Sequence, residues 1–177
     1  MVLAEIYEKY RAYSDKGTRH CYVGLYESIL ERFRHTASLV VEIGVLSGAS
    51  LYMWREFFTK ATIIGVDTNP QCKAIQNPYA RILVEIGDAS NPDMAGRLPD
   101  GVDIIIDDGG HILEPTINSF RYLYPKLRGG GLYIVEDVQD FEAWKSGFDS
   151  FGIPYGVVDL RLLNAVYDDV LFLFKKP

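Results

Sequence analysis

The chain has 177 residues, 48% hydrophobic and 24% charged, with a net charge of −6 and no Lys/Arg cluster. That size carries one domain with a real core, and the acidic balance argues against a nucleic-acid partner. The apolar runs are strand-sized and the first nine residues already carry charge, so no transmembrane helix, membrane partner or secretory leader is expected. Cys21 and Cys72 make neither a disulfide framework nor a metal-finger pattern, so a reducing, cytoplasmic location is expected.

Before residue 39 the pattern predicts a helical cap, with Leu25, Ile29, Leu30 and Phe33 at helical spacing. Residues 39–44 read as a strand, 50–58 as an amphipathic helix, 62–67 as a second strand, 80–87 as a third and 102–106 as a fourth. Residues 114–127 form the clearest helix, with Pro115 in its first turn and Gly129-Gly-Gly131 as its stop. A fifth strand follows at 131–135, then a helix at 141–151 and strands at 157–162 and 170–174. The hinge at 164–169 suggests a hairpin, so the last strand should run antiparallel to the rest.

The strand cores are too continuous for one-sided burial, and strand alternates with helix. The expected fold is therefore α/β: a Rossmann-like, doubly wound, seven-stranded sheet, mostly parallel with an antiparallel last strand. Residues 1–177 are expected to make a single domain, with 1–38 as cap or lid and 39–177 as the α/β core.

Chemistry concentrates where strands end. Asp103-Ile-Ile-Ile-Asp-Asp-Gly-Gly-His111 runs from a fully apolar strand core into two carboxylates, two glycines and a histidine. Leu132-Tyr-Ile-Val-Glu-Asp137 is a second buried strand ending in paired acids. In an open parallel sheet ligands bind outside the carboxyl ends of the strands, and neighbouring strands lie about 4.8 Å apart. The acids of these two ends, Asp107 or Asp108 with Glu136 and Asp137, are thus expected to hold a divalent metal, with His111 beside it. Glu136-Asp137 could instead start a solvated loop, and Asp107 or Asp108 could cap the following helix.

Glu42-Ile-Gly44-Val-Leu-Ser47-Gly48 follows the first strand and opens a helix. Gly44 and Gly48 allow close approach to the backbone, and the helix N-terminus offers free N–H groups. Glu42 would repel a pyrophosphate, and Leu46 stands where a dinucleotide fingerprint has its second glycine. An acid there suits a cationic ligand such as the ammonium of S-adenosylmethionine (SAM). Asp67, ending the second strand, is placed to accept ribose hydroxyls, and Asp88, after the third, to meet the adenine. The plainer reading is that the glycines only make a tight turn.

On these motifs the chain resembles the class I SAM-dependent methyltransferases, and more narrowly the metal-dependent sugar O-methyltransferases of the mycinamicin and rhamnosyl group. The matching stretches are Ser14-Asp-Lys-Gly-Thr18 with His20 and Tyr22, the Glu42 turn continuing to Met53-Trp54, Gly65-Val-Asp67, Ile106-Asp-Asp-Gly-Gly-His111, and Gly129-Gly-Gly-Leu-Tyr-Ile-Val-Glu-Asp137. The resemblance implies Mg²⁺ and SAM as cofactors and a sugar or glycoside as the small-molecule or glycan acceptor; a homo-oligomer is compatible with it. It implies that Asp108 is both ligand and part of the catalytic turn with His111 as general base. It also implies that Lys16, Thr18 and His20 close over the methionine end of SAM or over the acceptor. Glu42, Gly44, Ser47, Gly48, Asp67, Asp88 and Asp107 then complete the cofactor side. The pattern departs in two respects: family members are longer, with a further N-terminal domain that shapes the acceptor site, and position 110 is Gly rather than Ser. A catechol-type O-methyltransferase and a non-catalytic SAM-binding protein are the alternatives. A two-histidine iron site is disfavoured, because His20, His35 and His111 make no His-x-Asp pair.

Overall fold

A computed structural model describes residues 1–163 and 165–177 of the protein. Seven strands form one sheet: β1 (Leu39–Ile43), β2 (Thr62–Asp67), β3 (Ile82–Ile86), β4 (Val102–Asp107), β5 (Leu127–Val135), β6 (Tyr155–Asp159) and β7 (Val170–Lys175). Their order is β3-β2-β1-β4-β5-β7-β6, parallel through β5. β7 inserts antiparallel between β5 and β6, as the hairpin reading required. The chain leaves β1 in one direction toward β2 and β3, and crosses to β4 on the other side. This is the switch point at which such sheets open a crevice.

The helices are α1 (Leu3–Tyr7), α2 (Tyr22–Leu30), α3 (Ala49–Phe57), α4 (Pro92–Arg97), α5 (Leu113–Leu123), α6 (Phe141–Asp149) and α7 (Arg161–Asn164). All six residues of β4 are buried, which requires cover on both faces of the sheet. One face packs on α1, α2 and α3 through Leu3, Tyr26, Trp54 and Phe57. The other packs on α4, α5 and α6, where Phe120 meets Tyr133, Phe148 and Phe174 at ring-centroid distances of 5.1, 5.3 and 4.4 Å. Aromatic contacts of this kind each add about 0.5–1.5 kcal/mol beyond area burial.

Boundaries differ from the sequence reading in several places. α5 stops at Leu123 and a 3₁₀ turn covers Tyr124–Lys126, because Pro125 has no N–H to continue the helix. The three glycines lie inside β5, where the pairing with β4 shifts register, and do not stop the helix. A Cβ on Gly131 would sit 2.9 Å from the Asp103 carbonyl oxygen, so this close strand crossing admits only glycine. β6 ends at Asp159, not 162: its carboxylate accepts from the Arg161 N–H at 3.1 Å and pairs with the Arg161 guanidinium at 2.6 Å, turning the chain into α7. β3 begins at Ile82, since Arg81 adopts a left-handed φ of 57°. α4 lacks a long periodic signal and starts on Asn91, whose side chain accepts from the Asp93 N–H at 3.0 Å.

Candidate active site

A cavity of about 490 Å³ opens at the carboxyl ends of β1, β2 and β4, within the range of small-molecule sites. Its walls include Gly44, Ser47, Asp67, Asp88, Asp107, Asp108, His111 and Asp137, all singled out in the sequence. Lys16 reaches it from the N-terminal loop.

The turn after β1 is built by steric exclusion. Gly44 has φ +90°, and a Cβ there would lie 2.0 Å from the Asp108 carbonyl oxygen. Gly48 has φ +79°, and its Cβ would meet Ile75 at 2.5 Å. Both glycines therefore permit close packing of protein on protein, and Gly44 joins the turn to the acid-bearing loop. Asp67 braces the same turn: Oδ2 accepts from the Val45 and Leu46 N–H groups at 2.8 and 3.2 Å, and Oδ1 from Asn69 at 2.8 Å. Burial alone would raise the Asp67 pKa, but these backbone bonds hold it below the ordinary value. Asp88 accepts from Ser90 N–H and Oγ at 2.8 and 2.7 Å. The Ser47 hydroxyl donates to the Tyr13 carbonyl at 3.1 Å, fastening the N-terminal loop over the turn.

The other half of the cavity is crowded with carboxylates. Asp107 is buried, and its Oδ2 accepts from the Tyr133 hydroxyl at 2.8 Å; burial pushes its pKa up to about 7. Lys16 is 2% exposed, with Nζ 2.6 Å from Asp108, 2.7 Å from both oxygens of Glu136 and 3.6 Å from Glu42. Burial works against its charge, yet Asp108, Glu136 and Glu42 hold its pKa well above the ordinary lysine value. Glu42 is fully buried beneath the turn, where burial raises its pKa to about 7 against the pull of Lys16. Glu42 thus faces Lys16 and does not line the cavity.

Asp108 and Asp137 flank His111, with Asp108 Oδ1 and Asp137 Oδ2 at 3.8 and 3.6 Å from His111 Nε2. Ligand atoms of these three residues all lie within 4.8 Å of one another, a group able to hold a metal ion. His111 and Asp137 both take left-handed backbones, φ 50° and 57°. Such residues cost about 1–3 kcal/mol each and concentrate at functional sites. Tyr22 donates to Asp137 Oδ1 at 2.5 Å. The hard carboxylate oxygens of Asp108 and Asp137 fit a divalent ion such as Mg²⁺, with the His111 imidazole beside it.

Several expected site residues sit elsewhere. Glu136 is 1% exposed, with both oxygens on Lys16 and a further bond from the Tyr26 hydroxyl. Thr18 is exposed, its hydroxyl 3.5 Å from the Ser14 carbonyl, and outside the cavity wall. His20 is buried, stacked on Tyr22 at 4.8 Å between centroids and bonded to Asp169. The sequence reading missed Tyr26, Tyr133, Asp168 and Asp169. A signal existed for Tyr26, which lies one helical turn beyond Tyr22 on α2 and so presents its hydroxyl on the same side. Tyr133 and Asp168-Asp169 carried none, because only the sheet brings them near the β4 and β5 ends.

Residues 41–138 match the family described as a methyltransferase domain. The chain is 36% identical over 148 residues to the 8-demethyl-8-alpha-L-rhamnosyl tetracenomycin-C 2'-O-methyltransferase of Streptomyces olivaceus, covering 77% of this chain and 38% of that protein. It is 32% identical over 163 residues to the mycinamicin VI 2''-O-methyltransferase of Micromonospora griseorubida, covering 87% and 40%. Among solved structures it is similar to the MycE methyltransferase of the mycinamycin pathway, in complex with Mg, SAH and mycinamycin VI. That comparison gives a TM-score of 0.78 at 27% identity, covering 99% of this chain and 55% of that one. The chain thus spans about two fifths of the length of these curated relatives. With more than half of its residues matched by the family model, the chain belongs to the methyltransferase domain family.

Proposed function

We propose that the protein is a SAM- and Mg²⁺-dependent O-methyltransferase acting on a hydroxyl of a deoxysugar or glycoside. The observation that carries this reading is the Asp108–His111–Asp137 group lining the same cavity as the glycine turn. Relatives named for methyl transfer to rhamnosyl and macrolide sugars support the acceptor class. We read residues 1–177 as one methyltransferase domain, with 1–38 as its cap.

When bound, SAM supplies an electrophilic methyl group and a divalent ion lowers the pKa of the acceptor hydroxyl. Asp67 receives a ribose hydroxyl on Oδ1, which accepts one backbone N–H and keeps a lone pair, while Oδ2 already accepts two. Ser47, Asp88 and Asp107 border the rest of the cofactor, and Lys16 fixes Asp108 toward the cavity. Asp108 and Asp137 hold the ion, with Tyr22 locking the rotamer of Asp137. Glu136 stands behind them as the partner of Lys16. His111 accepts the proton of the attacking hydroxyl, and the flanking carboxylates stabilise the resulting imidazolium. The cavity walls would hold the acceptor hydroxyl against the methyl group that SAM supplies.

The test is a thermal-shift titration with SAM, with and without Mg²⁺, followed by transfer of labelled methyl to free and glycosidic deoxysugars and to a catechol. Labelled sugar ether supports the reading. Methylation of the catechol alone, or SAM binding without transfer to any hydroxyl, overturns it.

A further inference from the structure

A second group of ligating side chains lies behind Asp137, outside the cavity wall. His20 enters it from the N-terminal loop, while Asp168 and Asp169 enter from the turn before β7. One ligand atom from each lies within 4.8 Å of the others, and all three residues are buried, at 3%, 3% and 0% exposure. The reaction described above uses none of them.

Two observations distinguish this group from a satisfied polar network. Asp168 Oδ1 is buried and has no hydrogen-bond partner among the described residues. Leaving such an atom unpaired and dry costs about 1–3 kcal/mol. Acids also outnumber cations here: Asp137 and Asp169 share the His20 imidazole, at 3.6 Å and in direct contact, and Asp168 meets Arg19 at 3.2 Å. Buried acids in excess persist when paired or ligating a metal.

We propose that His20, Asp168 and Asp169 form a second divalent-cation site, for an ion of the Mn²⁺ or Zn²⁺ class. One imidazole nitrogen with two carboxylate groups suits these ions better than Mg²⁺ or Ca²⁺, which favour oxygen alone. His20 Nδ1 is the ring atom that meets Asp169 and is the ligand atom. Nε2 then carries the hydrogen and faces Asp15 Oδ2 at 3.8 Å, an outer carboxylate of the kind that orients metal-bound imidazoles. The ion ties the loop carrying Lys16 and His20 to the C-terminal hairpin. Asp137 lies between the two groups, Oδ1 3.6 Å from His20 Nδ1 and Oδ2 3.6 Å from His111 Nε2. Filling the second site therefore holds the Lys16 loop over the cavity and restrains Asp137.

The experiment is anomalous diffraction from crystals of the whole chain soaked in Mn²⁺ or Zn²⁺, with bound metal counted after dialysis against each. We expect an anomalous peak among His20, Asp168 and Asp169, and loss of one ion per chain in Asp168→Asn and in His20→Gln. Asp108→Asn should instead lose the ion of the Asp108–His111–Asp137 group. If Asp108→Asn changes nothing while Asp168→Asn loses an ion, the second site stands and the metal-assisted reading of the first fails. A wild-type map without a peak at the second group for either metal overturns the inference, whatever the variants' folding. So does an unchanged ion count in folded Asp168→Asn.

Discussion

Two halves of the same sheet edge carry acids and treat them oppositely. At the ends of β2 and β3, Asp67 and Asp88 meet backbone N–H groups, and Asp67 is held below its ordinary pKa. At the ends of β4 and β5, Asp107, Glu136 and Asp137 are buried and close to Asp108, and their pKa values are raised, by burial first. The first half supplies the neutralising dipoles from its own turns. The second relies on tyrosine hydroxyls from Tyr22, Tyr26 and Tyr133 and on Lys16, one ammonium beside Asp108, Glu136 and Glu42. An aspartate at a strand end is thus a finished hydrogen-bond acceptor in one half and a demand for a cation in the other.

Chelation should break this contrast most completely. EDTA is expected to abolish methyl transfer, Mg²⁺ to restore it, and Asp137→Ala to lose the rescue while calorimetry still reports SAM binding. Activity indifferent to EDTA would mean that Lys16 and the tyrosines satisfy the acid-rich half.

His111→Ala should lower single-turnover methyl transfer about 10²–10⁴-fold at saturating SAM and Mg²⁺, with SAM affinity unchanged. A loss confined to metal affinity would make His111 a ligand and not the base. On the other half, Asp67→Ala should weaken SAM binding by about 1.5–3 kcal/mol, the range for charge-assisted hydrogen bonds. Unaltered affinity in calorimetry would assign Asp67 to bracing the turn alone.

The smallest effect concerns Glu42, whose pKa burial raises from 4.5 to about 7. Between those values the native carboxyl keeps its proton while the unfolded one has lost it, so the native state binds more protons. Stability without ligands should therefore fall as pH rises through this window. Glu42→Gln should reduce that fall in urea unfolding, and Asp107, raised to about 7 as well, retains the rest. An identical pH slope in the variant would show that Lys16 keeps Glu42 ionised throughout.

The strands β1, β2 and β4, the helices α3 and α6 and the antiparallel β7 were legible because their apolar runs have only one packing solution. Asp108, His111 and Asp137 were legible because acids ending buried strands converge at the sheet edge whatever the loop details. The limits of α5 and β6 were less so, since Pro125 and the Asp159–Arg161 pair act over single residues inside longer apolar patterns.

Sequence alone determined the sheet, the glycine turn and the acid-bearing strand ends, all properties of local periodicity and residue type. Tertiary structure decided which charge meets which. Lys16 is 92 residues from Asp108 and 120 from Glu136 in the chain, and His20 is 149 from Asp169. No local pattern encodes pairings over such separations; they arise because the cap folds back over the edge and burial forces each charge to find a partner.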